Sequence, residues 1–341
     1  MQMSRLDKAI NLVVIVVPPV GVVVAAVLLW NRGFDAIDLG LCLGLYVLTG
    51  FGITVGFHRL FTHRAFAAKP WVSNTFAILG SMALEGPLAD WVADHRKHHA
   101  HTDVEGDPHS PHLGEGSGLK GLFHAHLGWI FHEEDRADSA RYAKDILEDP
   151  SLSMISKMFP ALAVFSVLLP GLLGYALHGF EVAGLLTGLL WGGLVRLFFL
   201  HHVTWSINSV CHFAGSRRFA LDDHSTNVFW LAIPSLGESW HHNHHAFPRS
   251  ARHGLRRWEL DPSAALIRLL ARFGLVWNVV EISPDRQSEL EKDSAVAPQS
   301  PSGTSEKAGP AEVPVALTRR ARLVKALRSV VPKRPAAKPS A

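Results

Sequence analysis

The run Ala183-Gly-Leu-Leu-Thr-Gly-Leu-Leu-Trp-Gly-Gly-Leu-Val-Arg-Leu-Phe-Phe-Leu200 is long and apolar enough to cross a bilayer, and it does not end at the membrane surface. It continues as His201-His-Val-Thr-Trp-Ser-Ile-Asn208 with no glycine or proline, and His212 follows. One long helix is therefore expected, projecting from the membrane with a histidine near its tip. Arg196 is the only charge within the apolar run. It is expected to face protein or lie near an end, because hydrocarbon does not solvate a guanidinium.

Three more stretches read the same way: Ile10 to Trp30, the glycine-rich Leu39 to Phe57, and Phe159 to Leu177. Pro18, Pro19 and Pro170 do not disqualify them, since neighbouring helices satisfy freed carbonyls in a bundle. A chain of 341 residues that is 48% hydrophobic and only 18% charged is too apolar for an ordinary soluble domain. A cleavable signal in residues 1 to 30 fits less well, because the apolar stretch exceeds a signal core and no small-residue cleavage site precedes Trp30.

Charge sets the expected orientation. The Asn31 to Asp38 connection carries one arginine and His178 to Val182 carries no Lys or Arg, whereas Arg59, Arg64, Lys69, Lys144, Lys157, Arg217 and Arg218 flank the opposite ends. The positive-inside bias then puts both termini and the middle segment in the cytoplasm, within a multi-pass cell-membrane protein. Cys42 and Cys211 fall on different sides of this arrangement, so a disulfide between them is not expected. The net charge of +3 suits an anionic membrane surface or a phosphate-bearing substrate.

Between the spans, Pro70 to Leu84 is too short to cross and reads as interfacial or re-entrant. His101 to Gly118, rich in Asp, Gly, Pro and Ser, is expected to be an ordered loop, and Arg141 to Lys157 a polar helix. Residues 1–285 form one expected domain and 286–341 a disordered tail, in which 315–331 is either a basic amphipathic helix or a solvated tail.

Nine histidines cluster on the expected cytoplasmic side: His58 and His63; His95, His98 and His99; His212; His241, His244 and His245. Imidazole is a general ligand for iron, zinc and copper, and residues three or four apart share a helical face, so each His-x-x-His-His run can chelate. His58 and His63 are five apart and do not share an α-helical face; they either serve different metals or span a helix end. Asp94 and Glu238, each just ahead of a His-rich run, are candidate acceptors for ring N–H groups. The expected fold is thus all-α, four transmembrane helices with a cytoplasmic helical cap that holds a di-metal site.

The boxes His58-Arg-Leu-Phe-Thr-His63, Trp91-Val-Ala-Asp-His-Arg-Lys-His-His99, Asn208-Ser-Val-Cys-His212 and Gly237-Glu-Ser-Trp-His-His-Asn-His-His-Ala-Phe-Pro248 resemble those of the integral-membrane acyl-CoA delta-9 desaturases, over roughly Gly50 to Trp258. Asp107-Pro108-His109 and His126-Leu-Gly-Trp129 also fit that pattern. The resemblance implies that the nine histidines bind two irons, that Asn208 holds one metal through water, and that Trp91 and Thr204 line the bend of an acyl channel; as residues alone, both read equally well as core. Glu85 lies in the region matching the substrate end of that channel, where relatives usually have an amide. His242 is an extra imidazole in the last box and is expected not to be a ligand.

The chemistry so implied is oxygen-dependent insertion of a cis double bond into a long saturated acyl chain, carried on coenzyme A. An unactivated methylene has no useful acidity, so an acid–base pair cannot do this work and a redox metal is needed. There is no Gly-x-Gly-x-x-Gly fingerprint and no haem-domain His-Pro-Gly-Gly, so a separate ferredoxin or flavin/iron–sulfur reductase is the expected electron donor. Nothing points to nucleic acid. An acyl-lipid substrate, a related di-iron hydroxylase or ketolase, and a metal transporter are the alternatives, but a transporter would place its ligands within the spans. The other histidines, His101, His109, His112, His124, His132, His178, His201, His202, His224 and His253, are expected on the surface or hydrogen-bonded in the core, with His126 intermediate.

Overall fold

A computed structural model describes residues 5–31, 34–113, 118–132 and 136–296. Four helical stretches are long and apolar enough to cross a membrane: Asn11–Leu28, Ala36–Thr62, Phe159–Leu177 and Val182–His212. The first lies in α1 (Arg5–Asn31), which keeps both of its prolines inside the helix and packs Ala25 against Leu190, Trp191 and Val195. Val13, Val20, Val23, Leu43, Leu172 and Leu186 on these stretches are more than half exposed, as lipid-facing side chains would be.

The Asp35 side chain accepts the backbone N–H groups of Ile37 and Asp38 and starts α2 (Ala36–Phe51). The helix continues unbroken but widens to π geometry over Gly52–Thr62. Beside this segment lies α3 (Pro70–Ser81), the stretch expected not to cross. Its approach requires glycine: a Cβ on Gly52 would stand 2.2 Å from the Gly80 nitrogen. Next come α4 (Leu88–His101) and α5 (Leu119–His126). Phe57, Phe76, Leu88 and Val92 belong to the largest buried core, which joins the widened part of α2 to α3 and α4.

Arg141 to Lys157 is not the single helix expected from its polarity. It forms α6 (Ser139–Tyr142), α7 (Lys144–Glu148) and α8 (Pro150–Lys157), because the Asp138 and Asp149 carboxylates cap new starts and Pro150 has no N–H to donate. The third crossing is α9 (Phe159–Leu177). The fourth runs through α10 (Val182–Gly188), a second π segment Leu189–Val195, and α11 (Arg196–Asn208), then ends in a 3-10 turn, Val210–His212. The long projecting helix is therefore present, interrupted by two changes of winding.

Arg196 faces the protein interior. Its guanidinium donates to the Gly192, Ser166 and Met82 carbonyls and to the Ser166 hydroxyl, so a buried charge is solvated by helix ends and backbone. After α11 come α12 (His241–Ala246), α13 (Pro262–Arg272) and α14 (Pro284–Val296). A two-residue antiparallel pair, β1 (Ala67–Ala68) with β2 (Val276–Trp277), ties the end of the α2 segment to the chain after α13. The expected boundary at 286 falls inside α14, and the segment 315–331 lies outside the described residues. Cys42 and Cys211 are both free.

Candidate metal centre

Four segments bring histidines together: the π segment of α2, α4, the 3-10 turn after α11, and α12. The nine rings form two neighbouring groups, His58, His63, His95, His99 and His244, and His98, His212, His241 and His245. Within each group, one nitrogen per residue lies within 4.8 Å of all the others.

The π segment resolves the five-residue spacing. Residues five apart on an α-helix point roughly 140° away from each other. Here the His63 N–H donates to the His58 carbonyl at 3.1 Å, and the two rings approach to 4.8 Å between centroids. His63 caps the segment, so of the two openings left by the sequence, the helix end is the one adopted.

Carboxylates stand behind the rings. His98 Nδ1 lies 3.0 Å from Asp107, His212 Nδ1 2.9 Å from Asp103, His245 Nδ1 3.0 Å from Asp223, and His58 Nδ1 2.5 Å from Glu238. A ring that donates from Nδ1 presents the Nε2 lone pair on its other side. Those Nε2 atoms nearly meet: His212 and His241 at 2.9 Å, His99 and His244 at 2.9 Å, His58 and His244 at 3.1 Å. The Nε2 atoms of His63 and His98 are buried with no hydrogen-bond partner among the described residues. Facing lone pairs at such distances repel unless a cation lies between them, so the donor set fits metal. Burial would raise the Asp107 and Asp103 carboxyls, but the hydrogen bonds of the His98 and His212 rings help to hold both below the ordinary carboxylate range.

Glu238 is itself held by the fully buried Arg59, which also binds Asp261 at 3.0 Å. Asp94 does not take the place expected for it. Its carboxylate is engaged by Arg136 at 2.8 Å and by the Ala137 N–H, and it braces the loop after α5 rather than a ring. Asp103 and Asp223 are the acids that the sequence reading does not single out, and Asp107, noted in Asp107-Pro108-His109, is given no ring to hold there. For Asp103 the signal available was its place in the polar His101 to Gly118 loop; no such signal marked Asp223. His242 lies apart from both groups, accepting the Phe219 N–H at Nε2 and facing Ser225 with Nδ1. His109 and His253, expected on the surface or hydrogen-bonded in the core, are buried beside Asp107 and Glu238.

A cleft opens against this centre, lined by Glu85, Trp91, His95, Thr204 and Asn208. The Trp91 ring stacks on His95 at 5.1 Å and its N–H donates to Glu85. Burial pushes the Glu85 carboxyl up to about 7, although hydrogen bonds from Thr204 and Trp91 pull the other way. Thr204 also lines a second, largely apolar cavity with Gly50, Ile53, Leu200, Ile207 and Leu236. Beside it, the Tyr46 hydroxyl donates to the Pro234 carbonyl at 2.6 Å.

The fatty acid desaturase family model matches residues 38–279. Similar proteins include a hex-5-enoyl-(acyl-carrier protein) acetylenase of Moorena producens (strain JHB), 42% identical over 77% of this chain and 83% of its own length. An sn-1 stearoyl-lipid 9-desaturase of Anabaena variabilis is 40% identical over 72% of this chain and 85% of its own. An acyl-CoA C20 Delta5-desaturase of Anemone leveillei is 36% identical over 70% and 72%. With these matches and a mostly helical build around clustered histidines, the chain belongs to the fatty acid desaturase family.

Proposed function

We propose that this desaturase is an oxygen-dependent di-iron enzyme that inserts a cis double bond at carbon 9 of a saturated fatty acyl chain. The observation carrying this reading is the convergence of nine imidazole lone pairs on two adjacent points beside a cleft. In the proposal all nine histidines ligate iron, and Asn208, on the cleft wall beside His95, holds one metal through water. A pair of irons with dioxygen supplies the oxidising power to remove hydrogen from unactivated methylenes. Two hydrogens from adjacent carbons, one O2, two external electrons and two protons give an alkene and two waters, so a separate ferredoxin or flavin/iron–sulfur reductase is part of the proposal.

The chain's own groups hold and exclude. Asp103, Asp107, Asp223 and Glu238 fix the tautomers of their rings and balance metal charge that neutral imidazoles leave uncompensated. Trp91 walls the cleft against His95, and Thr204, shared by cleft and apolar cavity, marks the bend where one pair of carbons is held against the metals. Glu85 lines the same passage. Residues 1–285 carry the activity, with both termini and the metals on the cytoplasmic side.

The carrier is proposed to be a membrane lipid, on the strength of the stearoyl-lipid relative. Acyl-CoA, the expectation from sequence, is the second reading, favoured by the acyl-CoA relative. Offering reconstituted protein stearoyl-lipid and stearoyl-CoA in parallel, with oxygen and reductant, and locating the double bond by mass spectrometry separates the two. A hydroxylated product would replace desaturation with rebound chemistry.

A further inference from the structure

A second cluster sits at the opposite end of α2 from the histidine centre. Asp35, just before the helix, Asp38 in its first turn, and His178, just after α9, bring one donor atom each within 4.8 Å of the others. They line an open pocket shared with Glu181 and Thr187. The fold builds this corner closely: a Cβ on Gly184 would stand 2.6 Å from the His178 Cβ, so only glycine lets α10 pass there.

Two details point to a cation-binding corner. His178 Nδ1 donates to the Gly174 carbonyl at 2.8 Å, the backbone contact that commonly orients a metal-binding imidazole and leaves the lone pair on Nε2. That Nε2 nevertheless faces Asp35 Oδ2 at 2.8 Å. A lone pair and a carboxylate hold that distance only with a positive centre between them, either a proton or a metal. The second detail is Asp38: it is 2% exposed, its Oδ1 has no hydrogen-bond partner among the described residues, and the Thr187 hydroxyl is the side-chain donor that approaches its carboxylate. A buried carboxylate oxygen left unpaired is costly.

We propose that Asp35, Asp38 and His178, with Glu181 in reach, form a binding site for a divalent transition cation of the zinc class. The imidazole disfavours magnesium and calcium, and three protein donors leave a position for water or Glu181. Such an ion clamps the start of α2 to the α9–α10 turn, which makes it a structural site remote from the chemistry.

The test uses the full chain in detergent, equilibrated with zinc chloride in excess magnesium and analysed by elemental mass spectrometry. Wild type is expected to hold one more zinc than Asp38→Asn or His178→Gln, and to melt higher with zinc where the variants do not, with desaturation unchanged in all three. Equal zinc content in the three proteins would show that a proton alone bridges His178 and Asp35, and would overturn the site. Zinc-edge X-ray absorption of the wild type decides independently of how the variants fold. A zinc shell of one imidazole and several oxygens supports the proposal; zinc found only among multiple imidazoles refutes it.

Discussion

The two ends of α2 carry clusters built from the same residue types in opposite arrangement. At the Thr62 end, imidazoles face one another and carboxylates stand behind them. At the Asp35 end, carboxylates and a single imidazole face the same space. On the functions proposed for them, the difference would separate a redox centre from a clamp. Neutral nitrogen donors leave metal charge available for chemistry while second-row acids tune it, whereas direct carboxylates neutralise a cation and hold it.

The most forceful way to break this comparison is to remove a facing ring. His244→Ala is expected to abolish turnover and sharply reduce bound iron; iron retained at the wild-type level would show that His244 is not a ligand. A milder change acts from behind. Asp107→Asn keeps the shape but weakens the hold on the His98 tautomer, and a loss of about 10–100-fold in activity or metal affinity is expected. If iron content and rate stay as they were, the carboxylates are ornament to the rings.

The smallest effect concerns Glu85. Because burial raises its carboxyl to about 7, the neutral form prevails at lower pH, and an anion appears in the cleft as pH rises through that value. Asp94, His95 and His109 line the same cleft; Asp94 is already ion-paired with Arg136, and burial lowers His109 to about 3 and His95 well below its ordinary value, so none of the three carries the change near neutrality. Activity should fall a few-fold between pH 6 and 8 in wild type and stay flatter in Glu85→Gln. Parallel profiles for the two proteins would remove Glu85 from the substrate path.

The sequence made the four crossings legible because hydrocarbon imposes a length, and it showed the projection of α11 because no glycine or proline interrupts Leu197 to Asn208. It also collected the nine rings, since box spacing survives translation into helices. What it hid was geometry without a compositional signature. A π turn looks like any apolar helix in sequence, so the alignment of His58 with His63 was invisible. Asp103, Asp107 and Asp223 lie outside the helices, where no periodicity announces which ring they face. Asp94 looked like a partner for a ring because it precedes His95, yet Arg136, distant in sequence, claims it.

The unbroken path from Ala36 to Thr62 has a mechanical corollary. Its 27 residues form a single rod about 40 Å long at a helical rise, with a cluster indexed at each tip. Swapping the greasy side chains along its flank leaves both tips in phase. Inserting or deleting one residue would twist one tip against the other by roughly 100°. The lipid-facing flank of the shaft therefore tolerates wide substitution, but the shaft does not tolerate a change of length.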